Sequence, residues 1–391
     1  MYSRRSFLRT SSLLSLAPVL PCVLGRTAQA ATSERDAKVL VVLQLDGGND
    51  GINTVVPYAD DGYGQARSSL RLEADSLHKL DDQVGLHASM KRAKELFDDG
   101  RVAIIQGVGY PNPSRSHFRS MKIWQTGSFD EADHDAYGWL GRAADRNSES
   151  TYYVGNGETP VALWGRKSQA IALAEADDLI LEAPSTVSAT PLGGDALHQY
   201  VSQEIATAYQ SAARFQQQSV GSSAGEASYP NTQLASRLKL VSQLLKSGSP
   251  TRIYYATQSG YDTHSAQLYT HARLLREFSD AVAAFMDDLK QEGLGDRVVL
   301  MAFSEFGRRV KENDSKGTDH GTAGPVFLAG SAVQAGLFGA APDLSSLDDG
   351  DLKAQFDFRQ IYATLLSDWL DINPDRVLAG HHDKIPLLRE V

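Results

Sequence analysis

Cysteine is almost absent from this chain of 391 residues, since its one cysteine, Cys22, lies within the first thirty residues. Without that segment, no disulfide and no cysteine metal ligand remain, so stability must come from the apolar core. Long apolar runs are also missing. The stretch from Thr10 to Gly25 is interrupted by serine and proline, and a membrane span needs about 20 consecutive apolar residues. The sequence therefore predicts no membrane anchor.

Positive charge is also scarce. The chain has 38 lysines and arginines against 48 acidic residues, a net charge of −10. Nucleic acids and anionic membrane surfaces attract basic proteins, so this composition argues against either as a partner.

The N-terminus predicts an export signal. Ser3-Arg4-Arg5-Ser6-Phe7-Leu8 has the twin-arginine pattern, an uncharged stretch follows, and Ala28-Gln29-Ala30 supplies a cleavage site. We expect residues 1–30 to be a removable twin-arginine signal peptide and the mature protein to be periplasmic or secreted. Proteins that take this route are exported folded, often with a metal or cofactor already loaded, so a metal site is expected.

Short apolar runs alternate with helical patterns over residues 31–391. Runs rich in β-branched and aromatic residues predict buried strands at 39–43, 102–105, 253–256, 298–303 and 326–329. Apolar residues at helical spacing predict helices at 90–97, 119–125, 268–289 and 358–370. This alternation predicts an α/β fold, a three-layer αβα sandwich with a mostly parallel sheet.

The segment at about 148–249 has a different pattern. It has short possible strands at 161–163 and 170–173, then turns polar and helical, with a region rich in glutamine and serine at 210–228. We expect an inserted, partly helical segment or cap beside the sheet.

Polar residues suited to chemistry lie just beyond the predicted strands, where open α/β sheets bind ligands. The first strand runs into Asp46-Gly47-Gly48-Asn49-Asp50-Gly51, whose glycines allow a tight turn that exposes two carboxylates and an amide. An ordinary acidic turn is the alternative. After the second strand, Ser116 falls at a predicted helix N-terminus, where a hydroxyl nucleophile or a simple helix cap would both fit. Arg115 beside it suits an anion clamp or a carboxylate partner.

Three later segments carry metal-type residues. Asp262 and His264 lie two apart on a loop, Glu305 directly follows an apolar strand, and Asp319-His320 precedes the last predicted strand. A buried carboxylate at Glu305 needs a cation or hydrogen-bond donors around it. Each signal is weak alone, and a turn aspartate with a solvated histidine would explain Asp319-His320. Together they predict a metal site at one edge of the sheet.

The motifs together resemble a bacterial family, domain of unknown function 1501. The resemblance is carried by Asp46-Gly-Gly-Asn-Asp-Gly, Ser116-His117-Phe118, Gly138-Trp139-Leu140-Gly141-Arg142, Gly260-Tyr261-Asp262-Thr263-His264, Phe303-Ser304-Glu305-Phe306-Gly307-Arg308 and Asp319-His320-Gly321. Its members typically carry twin-arginine signals and are grouped with the alkaline phosphatase and sulfatase clan. The resemblance implies an alkaline-phosphatase-like fold and a two-metal hydrolase of phosphate or sulfate esters.

The resemblance also implies roles for individual residues. Ser116 resembles the nucleophile, and Arg115 and His117 beside it are further catalytic candidates. The residues that resemble metal ligands are Asp46, Asp262, His264, Glu305 and His320. Lesser candidates are Asn49, Asp50, Asp319 and Ser114.

Two departures from the clan pattern matter. Phosphatases of the clan have an adjacent Asp-His pair where this chain has Glu305-Phe306, so a second metal site is expected to be weak or absent. The sulfatase signature places a modifiable Cys or Ser where this chain has Pro111. Proline cannot become formylglycine, so an unmodified Ser116 or Ser114 would have to serve as nucleophile.

Two functions follow as hypotheses. The first is an exported metal-dependent hydrolase of small-molecule or glycan phosphate or sulfate esters, with Ser116 as nucleophile and one or two divalent ions. Mixed carboxylate and imidazole ligands suit Zn, Mn or Fe, and also admit Ca or Mg. The second is a catalytically silent extracytoplasmic protein that binds a metal or ligand on the same fold. Protein partners and the oligomeric state are left open.

Overall fold

The computed structural model describes residues 37–129, 137–147, 149–168, 170–174, 228–378 and 380–389. The expected signal peptide, with Cys22, and most of the expected insertion at 148–249 lie outside these residues. Within them, no helix is both long enough and apolar enough to span a lipid bilayer.

Twelve strands are found in the described part of the chain. They are β1 (Val39–Asp46), β2 (Val55–Val56), β3 (His78–Lys79), β4 (Gly85–Leu86), β5 (Val102–Gly109), β6 (Thr151–Val154), β7 (Ala170–Leu173), β8 (Ile253–Ser259), β9 (Val298–Phe303), β10 (Gly324–Ala329), β11 (Gly336–Phe338) and β12 (Phe356–Asp357).

The helices of the described residues are α1 (Gly51–Thr54), α2 (Asp61–Ala66), α3 (Lys91–Asp98), α4 (His117–Thr126), α5 (Trp139–Asn147), α6 (Gln233–Lys246), α7 (Gln267–Gln291) and α8 (Phe358–Thr364). Short 3-10 turns lie at Ala74–Ser76, Val161–Leu163, Gly295–Arg297 and Pro374–Arg376, and a π-helical turn at Leu365–Trp369 extends α8.

The main sheet has the strand order β11-β5-β10-β9-β1-β8-β6-β7, with β12 added beside β5. Strand β1 pairs in parallel with β8 and β9, and β6 pairs in parallel with β8 and β7. Strand β10 runs antiparallel to both β9 and β5. The sheet is therefore mostly parallel, with β10 reversed. A small second sheet, β2-β4-β3, lies beside it.

Helices cover both faces of the main sheet. Val41 and Leu43 of β1 belong to a core that includes α3, α6 and α7, and Leu40 and Val42 belong to a second core that includes α4, α5 and α8. Both faces of β1 are buried, which explains why its sequence is continuously apolar rather than alternating. Truncating a side chain such as Leu43, which has no exposed surface, would cost about 2–5 kcal/mol.

The predicted fold class, a three-layer αβα sandwich with a mostly parallel sheet, is confirmed. Each of the five predicted central strands is present, and β9 has the predicted bounds. The possible strand at 170–173 is β7. The possible strand at 161–163 is wrong, because Val161–Leu163 forms a 3-10 turn that follows Pro160. The helix predicted over 358–370 is regular only to Thr364, where the π-helical turn begins.

Candidate metal centre

The loops that carry the predicted site residues meet at one edge of the main sheet. Strands β1, β5, β8 and β9 run in the same direction, so their carboxyl ends lie together. Strand β10 is reversed, so its amino end reaches the same edge. This direction explains why the loop before β10, rather than after it, contributes Asp319 and His320.

Three histidines and one aspartate converge at this edge. Oδ1 of Asp262 lies 3.0 Å from Nε2 of His264, 3.1 Å from Nε2 of His320 and 3.5 Å from Nε2 of His117. Nε2 of His264 and Nε2 of His320 are 2.9 Å apart. The ligand atoms of His117, Asp262 and His320 all lie within 4.8 Å of one another. We call these four residues the histidine cluster.

The other ring nitrogen of each histidine already has a partner that can only accept a hydrogen bond. Nδ1 of His117 lies 2.7 Å from Oε1 of Glu305, Nδ1 of His264 lies 3.1 Å from Oδ1 of Asp319, and Nδ1 of His320 lies 2.8 Å from the carbonyl oxygen of Arg115. A proton on Nδ1 lets each ring donate to this carboxylate or carbonyl. Each Nε2 of a neutral ring then presents a lone pair to the cluster.

Four lone-pair atoms facing one another repel unless a cation lies between them. Nε2 of His117 is buried and has no hydrogen-bond partner, as an imidazole aimed at a metal would be. Zinc–nitrogen bonds of 2.0–2.1 Å in a tetrahedron separate neighbouring ligand atoms by about 3.3 Å, and four separations within the cluster are 2.9–3.5 Å. The residues present therefore fit a divalent cation, and histidines oriented by carboxylates and carbonyls are typical of metal sites.

Glu305 supports the cluster instead of entering it. Its carboxylate is fully buried and accepts hydrogen bonds from the backbone N–H groups of Gly47 and Gly48, at 3.0–3.3 Å, and from the Ser304 hydroxyl at 3.1 Å. His117 is its fourth donor. The predicted need of this carboxylate for donors or a cation is thus met by donors, and Glu305 fixes the tautomer of His117.

The turn after β1 depends on its first two glycines. Gly47 and Gly48 have φ values of +119° and +78°, a region that strains other residues. A Cβ on Gly47 would lie 2.5 Å from the backbone nitrogen of Asp262, and one on Gly48 would lie 2.3 Å from the Phe306 ring. The glycines therefore allow the close approach of three loops and turn two N–H groups toward Glu305.

The side chain of Arg308 is fully buried. It joins the turn after β1 to the loops that carry Asp262 and Thr318. Its guanidinium donates to Oδ1 of Asp262 at 2.7 Å and to the carbonyl oxygens of Gly47, Gly48, Tyr261 and Thr318. Burial alone would raise the pKa of Asp262, but the hydrogen bond and the positive charge of Arg308 favour the carboxylate, and the pKa is lowered to about 2. Asp262 is therefore ionised at neutral pH.

Phe306 packs against two rings of the histidine cluster, those of His117 and His320. Its ring centroid lies 4.9 Å from those of both His117 and His320. Phosphatases of the clan have a histidine where this chain has Phe306, so an apolar ring takes the place of that imidazole.

The hydrogen bond to Glu305 raises the pKa of His117 above its usual value, against the opposing effect of burial. Protons therefore compete for this ring at mildly acidic pH.

Asp46, predicted as a ligand, lies outside the group formed by His117, Asp262 and His320. Its Oδ1 accepts a hydrogen bond from the Gln44 side chain at 3.1 Å. Burial raises the pKa of Asp46, and the negative charge of nearby Glu305 raises it further. Asp46 is thus a partly buried carboxyl beside the cluster.

Arg115, predicted as an anion clamp, is paired with carboxylates. Its guanidinium contacts Asp351 at 2.6 Å and Asp349 at 2.9 Å, which is the carboxylate pairing that the sequence left open.

Ser116, the predicted nucleophile, is the exposed cap residue before α4. Its hydroxyl makes no capping hydrogen bond. The Ser114 hydroxyl accepts from the Ser116 N–H at 3.2 Å. Ser116 is thus the less committed of the two hydroxyls.

Asn49 and Asp50 point into the protein interior. The Asn49 side-chain oxygen accepts from Thr54 at 3.0 Å and lies 2.9 Å from Nε2 of His271. Asp50 forms a fully buried ion pair with Arg67, whose nitrogen lies 2.5 Å from its Oδ2. Asp319, the remaining lesser candidate, orients His264 and accepts from Asn313 at 3.1 Å.

Sequence reasoning assigned no role to Arg308 and did not place His117 among the candidate ligands. Arg308 follows Glu305 closely on the same loop, and both side chains are buried against the loops of the cluster. His117 lies directly after Ser116, and its neighbour's position at a helix start drew the nucleophile assignment.

Comparison with known proteins gives the following. The model of the family described as "Protein of unknown function (DUF1501)" matches residues 212–386. The predicted family resemblance is therefore confirmed over a range that contains Asp262, His264, Glu305 and His320. No curated protein matches the chain.

Similar solved structures include the lipoteichoic acid synthase LtaP from Listeria monocytogenes, with 10% identity over 78% of this chain and 68% of that chain, at a TM-score of 0.38. The C-terminal periplasmic domain of EcEptC from Escherichia coli, in a complex with Zn, has 10% identity over 75% of this chain and 74% of that chain, at a TM-score of 0.37. A protein in the alkaline phosphatase superfamily from Vibrio parahaemolyticus has 9% identity over 78% and 63%, at a TM-score of 0.34.

Proposed function

We propose that this DUF1501 protein is an exported metal-dependent hydrolase of phosphate or sulfate esters. The observation that carries the proposal is the histidine cluster, in which three Nε2 atoms and Oδ1 of Asp262 converge while every Nδ1 is committed elsewhere. A cluster built this way is complete only with a divalent cation. His117, Asp262, His264 and His320 would hold that cation, and it would act as a Lewis acid toward an ester oxygen.

The chain also has a hydroxyl directly before His117 in sequence. Ser116 precedes His117, lies at the N-terminus of α4 and has no capping hydrogen bond. The unpaired N–H groups of a helix start favour an anionic oxygen, so they would stabilise both the Ser116 alkoxide and an ester's negative charge. The partly buried carboxyl of Asp46 would hold or release a proton nearby. The substrate would be a small-molecule or glycan ester, and the protein would be periplasmic or secreted.

One observation favours the second candidate, a catalytically silent protein that binds a metal or ligand outside the cytoplasm. Arg115, the expected anion clamp, is held by Asp349 and Asp351. A metal site without a free arginine binds an anion less strongly than a clamp with bidentate hydrogen bonds would.

The test separates metal binding from catalysis. We expect elemental analysis of the purified protein to give one equivalent of a divalent metal, and we expect hydrolysis of 4-nitrophenyl phosphate or 4-nitrophenyl sulfate. Ser116→Ala should retain the metal and lower kcat at least about 100-fold, while Ser114→Ala should keep most of the activity. Stoichiometric metal without hydrolysis of either ester would favour the silent protein, and no metal would overturn the hydrolase and leave a metal-free binding protein as the better account.

A further inference from the structure

A single buried amide joins three of the loops that surround the histidine cluster. Gln267, the first residue of α7, has no exposed surface. Its Oε1 accepts from the hydroxyl of Thr263 at 3.0 Å and from that of Thr318 at 2.6 Å, and its Nε2 donates to Asp50 at 2.5 Å. None of these atoms belongs to the histidine cluster.

Two of these partners are next to the ligands in sequence. Thr263 lies between Asp262 and His264, and Thr318 is separated from His320 by Asp319 alone. The backbone N–H of Thr318 also donates to the carbonyl of Thr263 at 3.1 Å. Both threonines are buried. The Gln267 oxygen therefore fixes the loop of Asp262 and His264 against the loop of His320.

The third partner extends the connection to His117. Asp50 ends the turn that begins with Gly47 and Gly48, whose N–H groups hold Glu305, and Glu305 orients His117. Arg67 anchors Asp50 on the other side and donates to the carbonyl oxygens of Arg309 and Val310. One amide thus joins the two loops that carry Asp262, His264 and His320 to the turn whose N–H groups hold Glu305.

The backbone before Gln267 is arranged to place that side chain. Ala266 adopts a left-handed conformation with φ +45°, which costs an alanine roughly 1–2 kcal/mol. The N–H groups of Ala266 and Gln267 are held by the carbonyl oxygens of Ser315 and Lys316. Such a conformation persists only where the surrounding structure determines it.

We propose that Gln267 is a positioning residue that sets the geometry of the metal centre through Thr263, Thr318 and Asp50. The inference rests on the proposed metal function. Gln267 does not touch the metal in this role. It holds the loops so that three Nε2 atoms and one carboxylate oxygen would all reach the same cation.

The test is Gln267→Met, which keeps the volume and removes the amide, measured on the full chain with Zn²⁺ and Co²⁺ as probes. Outer partners of metal ligands usually change affinity about 10–100-fold, and we expect a loss in this range against a competing chelator. The visible absorption of the Co²⁺ form should shift, because it reports ligand geometry. Thr263→Val and Thr318→Val should each weaken binding about 5-fold.

The matched control is Gln106→Met. Gln106 is a buried amide of β5 with a long hydrogen bond of 3.4 Å to the Gly339 carbonyl, and it contacts none of the ligand loops. Gln106→Met should leave the affinity for Zn²⁺ and the Co²⁺ spectrum unchanged even if it lowers thermal stability. If Gln267→Met does not fold, the two threonine variants decide.

Variants that lose thermal stability but keep wild-type affinity and spectrum would overturn the inference and leave Gln267 a purely structural residue. Absence of metal from the wild-type protein would overturn the proposed function first, before any variant is compared, and the inference with it.

Discussion

Two groups of histidines lie on opposite sides of the turn after β1. His117, His264 and His320 form the partly exposed cluster, while His87 and His271 are buried behind the turn with their rings 6.1 Å apart. Nε2 of His271 lies 2.9 Å from the Asn49 oxygen, and Nδ1 of His87 accepts from the Ser89 N–H. The rings of the buried pair are neutral and have hydrogen-bond partners. The three rings of the histidine cluster instead turn their Nε2 lone pairs toward one another.

His117 also differs from the buried pair in its affinity for protons. Burial lowers the pKa of His271 to about 3 and that of His87 to about 4. The hydrogen bond to Glu305 has the opposite effect on His117, whose pKa rises. The residue type does not decide the role. The decisive features are which ring nitrogen is committed and whether a carboxylate contacts the ring.

The largest predicted effect breaks the cluster itself. His320→Ala removes one ligand and should lower affinity for Zn²⁺ by more than the roughly 10–100-fold typical of outer partners, while metal-free stability changes by about 1 kcal/mol. Elemental analysis and chelator competition measure the first quantity, and denaturant unfolding the second. The control is His381→Ala, since His381 is an exposed histidine beside Asp375. Equal metal content in both variants would contradict the assignment.

An intermediate effect is predicted for the carboxylate that distinguishes His117 from the buried pair. Glu305→Gln puts an amide N–H₂ group or a neutral oxygen against donors that now meet a carboxylate. We expect Zn²⁺ affinity to fall about 10–100-fold and metal-free stability to fall by about 1–3 kcal/mol. Asp145→Asn is the matched control, because Asp145, like Glu305, accepts from backbone N–H groups, here those of residues 166–168. Its affinity should stay at the wild-type value.

The smallest effect concerns the buried pair and appears only in acid. Above pH about 6.5 both histidines are neutral whether the chain is folded or unfolded, so they contribute nothing to pH dependence. Below that value the unfolded state takes up more protons, so the free energy of unfolding falls by about 1.4 kcal/mol per pH unit for each group. The fall ends near pH 4 for His87 and pH 3 for His271.

His87→Leu tests this account. Urea unfolding of metal-free protein between pH 7 and pH 5 should show a shallower acid slope for the variant than for the wild type. Equal slopes for wild type and His87→Leu would show that His87 is not held neutral.

The strands were the most predictable part of the molecule. Val298–Phe303 is buried on both faces, so its apolar run is unbroken and the sequence predicts both ends of the strand. Val161–Leu163 is just as apolar, but Pro160 and a tight turn make it a 3-10 segment. Apolar composition shows that a segment is buried, and three residues are too few to show a period.

The site was predictable as a place rather than as an arrangement. Strand ends indicated where Asp262, His264 and His320 would meet, because parallel strands share an edge. Asn49 and Asp50 belong to the same turn as Asp46 and point inward, which no residue type reveals. Likewise, Glu305 accepts from two glycine N–H groups 258 and 257 residues away in the chain and orients His117, an arrangement that the sequence pattern does not reveal.

The pairing of the central strand has a consequence for how the chain folds. Strand β1 is the first strand of the sheet, yet its partners are β8, beginning at Ile253, and β9, beginning at Val298. Closing loops of that length and forming such distant contacts makes folding slow. During synthesis, β1 would wait unpaired until most of the chain has left the ribosome, and its apolar run would be exposed to aggregation. The nascent protein is thus an expected client of chaperones, which would hold it until its last third arrives.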